Sequence, residues 1–490
     1  MGFPLPPELV HIVLGFIITE EVADVPSYAI PDTNLAPYAT VNRDWQAIIE
    51  RQTFSILKIS TNKRLAEFKQ FPWHQSSWSQ RRSHIRKIHF DVELESYDGE
   101  ARTRYENEEE MQRNSKVFTT SIQSLFNTLS EWPDNEAGIC LSIMAQSPGD
   151  ISAQGPEARK QRGWGKSGLS TDDIWDKRHK RSYLQFNEEA VGTQCRAVSI
   201  ITELEITAAI GHRKLEPASS SLIASKLPRL YDLFLILDDN CKWDPQLRQR
   251  RRNEFADSLQ FLPLTIRHLT LDFAYICPQD ENYPPAASTA EGNTDPLSSR
   301  LREFSQQLIA MGGNQCVLGK ELFWPLTSDN PEPPFWPYLT GMSVDYIPIT
   351  PCGKWMFEQD DNAEEPDYDS DGRGSYYDDM DDTGQDWVPP EDRKCILFRT
   401  KFVHELFNQY YLSAGKAALR MPKLDSMALD VSHRPQHRFW YQVENEVAKV
   451  TWSNQDDPKA FEPSDEVLEI WNQVALEHTG HGLEVEFELC

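Results

Sequence analysis

The sequence predicts an α/β protein: a short helical unit, then a long alternation of strands and helices broken by polar insertions. Three observations predict it. An apolar run at helical spacing opens the chain. One spacing of apolar residues recurs through the middle. Two long segments are too polar to bury themselves.

The opening stretch, "LPPELVHIVLGFI" at 5 to 17, reads as a helix entered through Pro6 and Pro7, whose missing N–H groups cost little in a first turn. Glu8, His11 and Gly15 share one stripe and apolar side chains cover most of the rest. No cation precedes the run and Glu20 and Glu21 follow it, a poor match to a secretion signal. A loop with Pro26 and Pro31 leads to "NLAPYATVNRDWQAIIERQTF". There Leu35, Tyr38, Val41, Trp45, Ile48 and Ile49 recur at three- and four-residue steps. Residues 1–60 thus form a small helical unit, too small to bury all these groups alone.

Residues 61–357 repeat an apolar–two–apolar–one–apolar spacing. It occurs at Ile85/Ile88/Phe90, Ile201/Leu204/Ile206, Leu230/Leu233/Leu235, Ile266/Leu269/Leu271 and Leu339/Met342/Val344, and again at Leu424/Met427/Leu429. The alternating half of each is a strand; four copies are preceded by an apolar residue and a proline that turn the chain into it. Helical stretches such as "VFTTSIQSLFNTL", "QLRQRRRNEFADSLQFL" and "SRLREFSQQLIA" lie between them. Residues 148–194 and the acidic 358–393 read as a loop and a disordered insertion. Residues 394–490 continue and cap the α/β part. "FWYQVENEVAKVTW" alternates as strands, Ser464 and Gly480 bracket a helix, and "LEVEFEL" alternates again.

The 490 residues exceed one ordinary domain core, and 39% of them are apolar. A net charge of −27 argues against nucleic acid or an anionic membrane as the main ligand, since phosphate binding needs a basic surface. Eight cysteines stand singly with no C-x-x-C pair, as in a reduced, cytoplasmic or nuclear protein. No run reaches the ~20 apolar residues of a spanning helix.

Chemical motifs are sparse. Asp367, Asp369, Asp371 and Gly372 match the first half of an EF-hand loop. Its twelfth position is Asp378 rather than glutamate, and Pro366 blocks an incoming helix. "GWGKSG" lacks the first glycine of a phosphate loop, with Lys160 in its place. His84 with His89, and His478 with His481, have no third ligand at metal spacing. The basic run "RQRRRNEF" reads as a solvated helix face, the alternative being a face that meets an acidic partner or the chain's own acidic loop. No motif argues for catalysis, a metal or a cofactor.

Leu5-Pro6-x-Glu8-Leu9, then Val13-Leu14 and Ile17, then Leu35, Val41 and Trp45 resemble an F-box, whose usual shape is L-P-x-E-L, an I-L pair and a later V-x-x-x-W helix. The recurring spacing echoes the L-x-x-L-x-L core of leucine-rich repeats, which many F-box proteins carry behind the motif. The layout is similar to F-box proteins of filamentous fungi, although the link Thr19–Asn34 is longer than is usual between the first two helices. The resemblance implies an F-box followed by an irregular leucine-rich-repeat-like solenoid. It also implies a non-enzymatic subunit of a cullin–RING ubiquitin ligase that binds a Skp-family adaptor through those ten residues and a protein substrate through the repeats. The alternative is a repeat scaffold with no ligase link.

Overall fold

In the structure, a computed structural model, the described residues are 35–490, without 62–63, 74, 99, 102–103, 134–136, 151–177, 179–180, 208–212, 240–243, 276, 279–280, 326–331, 361–397 and 432–434. It is a mixed α/β fold built on one large, mostly parallel sheet.

The strands are β1 (Ile56–Ser60), β2 (Lys87–Glu93), β3 (Ile139–Gln146), β4 (Ile201–Thr207), β5 (Asp232–Asp238), β6 (His268–Ala274), β7 (Ala310–Cys316), β8 (Gly341–Tyr346), the small pair β9 (Phe357–Gln359) and β10 (Arg399–Phe402), then β11 (Ser426–Val431), β12 (His437–Glu444), β13 (Val447–Asn454) and β14 (Glu484–Leu489). The helices are α1 (Arg43–Thr53), α2 (Arg64–Gln70), α3 (Ser76–His84), α4 (Glu108–Leu129), α5 (Glu188–Val191), α6 (Pro217–Ala224), α7 (Pro245–Ser258), α8 (Pro296–Ser305), α9 (His404–Ala418) and α10 (Asp465–Thr479). Apart from the β9–β10 pair, the strands sit side by side in chain order. From β1 to β8 and on to β11 they are parallel; β12 turns back as a hairpin partner of β11 and β13, and β14 is parallel to β13.

The right-handed crossover usual between parallel neighbours in chain order places the intervening helices on one side of the sheet, and consecutive helices pack against one another from α6 to α8 and from α9 to α10. Burial follows this plan. Alternate residues of β2, β5, β6, β8 and β11 are buried under the helices, and the intervening ones are half-buried or exposed. The recurring apolar spacing has a direct structural meaning. Its second residues run in register as one ladder, Ile88–Leu141–Leu204–Leu233–Leu269–Met311–Met342–Met427. The first residue of five of the six copies is buried just ahead of the strand, at Ile85, Leu230, Ile266, Leu339 and Leu424, and in the sixth Ile201 is buried as the first residue of β4. Each fully buried side chain of this size contributes about 1.5–3 kcal/mol, so the repeated pattern is also the repeated energy of the core.

Local signals set the helix ends. Asn107 caps α4 in a reciprocal box with Glu110. Asp244 and Asp295 cap α7 and α8, each with proline next in sequence. Ser464 caps α10, and Gly480 closes it at φ +75°. Asn445 and Glu446, both at positive φ, form the two-residue turn between β12 and β13.

Four expectations change. The segment 34–54 is two pieces, a 3-10 turn (Ala36–Thr40) and α1, because Asn42 is extended and its side chain accepts from Trp45 N at 2.9 Å. Residues 56–60 belong to the sheet rather than to the helical unit. The end of the expected 148–194 loop is built in: Tyr183, Leu184 and Phe186 are buried, and Leu184 bridges to Leu215. The basic run is not a solvated face: Arg248 and Arg252 are among the most deeply buried residues. The EF-hand-like and phosphate-loop-like segments lie outside the described residues. Among the described residues no helix is long and apolar enough to cross a membrane, and no group of three or more His, Cys, Asp or Glu could hold a metal ion.

Candidate functional site

Two surfaces and one buried edge stand out. The first surface is the helical unit ahead of the sheet. Leu35 and Ile49 are buried with Ala39, Trp45 and Ile48 against them, forming a centre separate from the main core. Asp44 in the first turn of α1 and Arg51 in the last suit the helix dipole. The unit is tied on by Arg81 of α3, whose guanidinium donates to both oxygens of Glu50 at 2.7 and 3.2 Å and lies 4.9 Å from the Trp78 ring. Arg81 holds the Glu50 carboxyl below its ordinary range. Tyr38 and Val41 point outward, 40% and 59% exposed.

Of the ten residues expected at an adaptor contact, Leu5, Pro6, Glu8, Leu9, Val13, Leu14 and Ile17 lie outside the described residues. Leu35 and Trp45 are brought together in the small centre, while Val41 is on the surface.

The second surface is the helix-free face of the sheet. Across β5, β6, β7, β8, β11 and β12 one row reads Phe234–Thr270–Gly312–Ser343–Ala428–Trp440 in register. Exposed aromatic rings stand at its two ends, with short side chains or none between. The next row reads Asp272–Asn314–Asp345–Asp430–Arg438 from β6 to β12. Burial pushes the Asp272 carboxyl above its ordinary range; the Asn314 amide, donating at 3.4 Å, opposes this, and Asp345 adds to it. Burial likewise raises Asp430, against the pull of Arg438 at 3.2 Å. Near β2 the same face is internally neutralised, Lys87 meeting Glu205 at 2.7 Å.

This acidic row escaped the sequence reading, yet its signal is present. An aspartate directly follows the recurring spacing at Asp91, Asp272, Asp345 and Asp430, and Asn314 takes that place in β7. A residue one step past the last inward apolar position must face the other side of the sheet.

The buried edge lies at the carboxyl ends of the strands. Arg213 is enclosed by Glu106 at 2.7 Å and Asp150 at 3.1 Å, and Tyr97 donates to Asp150 at 2.6 Å. Further along, Arg248 and Arg252 share Asp239, and Arg252 also holds Asp295 at 3.1 Å. Beside Tyr97 is a cavity of about 400 Å³ lined by Arg104, Glu110, Arg113, Asn114 and Arg178. Its cations are taken: Arg104 and Arg178 both pair with Glu110, and Arg113 with Glu95. Arg104, with the Asn107 backbone and Arg178, keeps Glu110 far below the usual carboxylate range despite desolvation. The geometry at this edge locks loops together and leaves the open face as the broad accessible surface.

Residues 395–490 match a family of unknown function (DUF6546). The match takes in α9, the strands from β10 to β14 and α10. No curated protein matches the chain.

Proposed function

We propose that the chain is the substrate-recognition subunit of an SCF-type cullin–RING ubiquitin ligase. Its amino-terminal unit docks a Skp-family adaptor as an F-box, and its α/β part holds a protein substrate while other subunits perform the chemistry. The α/β part is in this reading an irregular leucine-rich-repeat-like solenoid, and the protein works in the cytoplasm or nucleus. The observation that carries the proposal is the separate small centre around Leu35 and Ile49, beside which Val41 stays 59% exposed. Among the described residues this unit buries only Leu35 and Ile49 in its own centre, and for the apolar stripe at 5 to 17 a partner groove would supply a covering wall. The chain-order parallel strands and the single helix layer support the repeat reading.

Co-expression with a Skp-family adaptor tests it. Leu9→Asp with Val13→Asp should abolish co-purification while circular dichroism and the melting curve of the remainder stay unchanged. Adaptor retained by the double variant, or never captured by the wild type, rejects the ligase link; the second result leaves a scaffold.

A further inference from the structure

We propose that the open face of the sheet between β5 and β12 binds an extended, lysine- or arginine-rich segment of a partner protein, laid across the strands with Phe234 and Trp440 at its two ends. This deepens the substrate half of the function proposed above and rests on it.

Charge complementarity selects the occupant. The strands β5, β6, β7, β8 and β11 contain no lysine or arginine, yet their open side carries Asp232, Asp238, Asp272, Asp345 and Asp430. Part of this charge is already met, Asp238 by Lys214 and Asp430 by Arg438, and Asp232 is hydrogen-bonded to His268. Asp272 has only the neutral Asn314 amide on one oxygen, and its other oxygen is buried with no hydrogen-bond partner. Arg438 answers only the β12 end of this row, at Asp430, and a cationic side chain from outside would complete it at Asp272.

The floor points the same way. Glycine inside a strand weakens it, and internal packing does not demand one at 312: a Cβ there would meet only Thr270 and Leu269 at 3.7–4.0 Å, ordinary contact. With Gly312, Ser343 and Ala428 side by side, a backbone can approach the sheet closely. Trp440, 44% exposed on a strand whose inward His437, Phe439 and Tyr441 are buried, offers a ring face for a cation. Five strand spacings separate Phe234 from Trp440, about 24 Å, the span of roughly seven extended residues.

The test uses the full chain and a fluorescein-labelled library of peptides of about nine residues, a third to half of them lysine or arginine, read by anisotropy against the same library with glutamate in place of each cation. The basic library should bind in a salt-weakened manner. Ser343→Leu, which blocks the floor without changing charge, and Trp440→Ala should each weaken binding by roughly tenfold or more with the melting curve unchanged. Leu9→Asp with Val13→Asp should leave it intact, so failure here and failure of the adaptor link are told apart. Binding no better than that of the glutamate library overturns the proposal. So does binding untouched by both open-face variants, which would move the peptide elsewhere, for instance to the acidic residues 361–397. A sedimentation mass of two chains that Ser343→Leu reduces to one overturns it in favour of a second copy on this face.

Discussion

Replacing Arg252 by methionine is the sharpest probe of how consecutive strand–helix units are fastened. Arg252 is 1% exposed and reaches three partners from different units: Asp239 after β5 and Asp295 before α8, both at 3.1 Å, and the Val317 carbonyl after β7. Methionine fills a similar volume, so the cost is electrostatic. Asp239 keeps Arg248 at 2.7 Å. Asp295 keeps only the Ser298 N–H and hydroxyl and becomes an unpaired buried carboxylate. Burial drives its carboxyl up, and at present Arg252 overrides that and holds it below the usual range. Removing one member of such a buried pair costs about 3–5 kcal/mol. Adding Asp295→Asn removes the stranded charge while Asn still caps α8. The double variant should recover about 2 kcal/mol or more of the loss, as coupled neighbours do. Urea unfolding followed by tryptophan fluorescence measures both, and low or high salt should give the same difference because the pair is shielded from solvent. A single variant within about 1 kcal/mol of wild type, or a double variant whose losses simply add, refutes the interlock.

Burial lowers the His437 imidazole to about 4, with Asn454 opposing, so the folded protein keeps it neutral: Nδ1 donates to Asn454 at 2.7 Å and Nε2 accepts from Tyr411 at 2.5 Å. Its unfolded value near 6.5 is higher, so the stabilising contribution is full above pH ~6.5 and falls by about 3 kcal/mol toward pH ~4. The stability gap between wild type and His437→Gln should shrink by that amount on acidification, and a pH-independent gap disproves the assignment. Gly353→Ala should destabilise by more than about 1 kcal/mol, since it combines φ +79° with a Cβ 2.8 Å from the Pro285 carbonyl. Gly480→Ala, at φ +75° in open space, should cost only about 1 kcal/mol; equal melting losses would mean that contact at 353 is relieved cheaply.

Most strands were legible because their energy is local and periodic. A sheet covered on one face needs every second residue apolar, and that rule is written at Leu233/Leu235 and Leu269/Leu271 alike. Two strands lack the full recurring spacing. In β3 the first position of the spacing is Gly138, at φ +67°, and in β7 the last is Gly313. The basic run misled because four arginines on a helix are solvated by default, and only folding brings Asp239 and Asp295 to Arg252 across thirteen and forty-three positions of sequence. The acidic row was readable in principle, one residue past each apolar triplet, but its meaning comes from register between strands far apart in the chain. The stretch 43–53 was legible as helical, and the break before it was not, because it comes from the Asn42 side chain accepting from Trp45 N.

The last strand carries a consequence for self-association. Among the described residues β14 has an unpaired edge, and Glu484, Glu486 and Glu488 line one of its faces, with Lys449 of β13 paired to Glu486. A second molecule adding its own β14 there would bring two rows of carboxylates to about 5 Å across the new seam. At neutral pH the sheet therefore refuses to grow into a fibre through this end. Acidification strips that protection and makes edge-to-edge polymerisation the failure to watch for when the protein is handled at low pH.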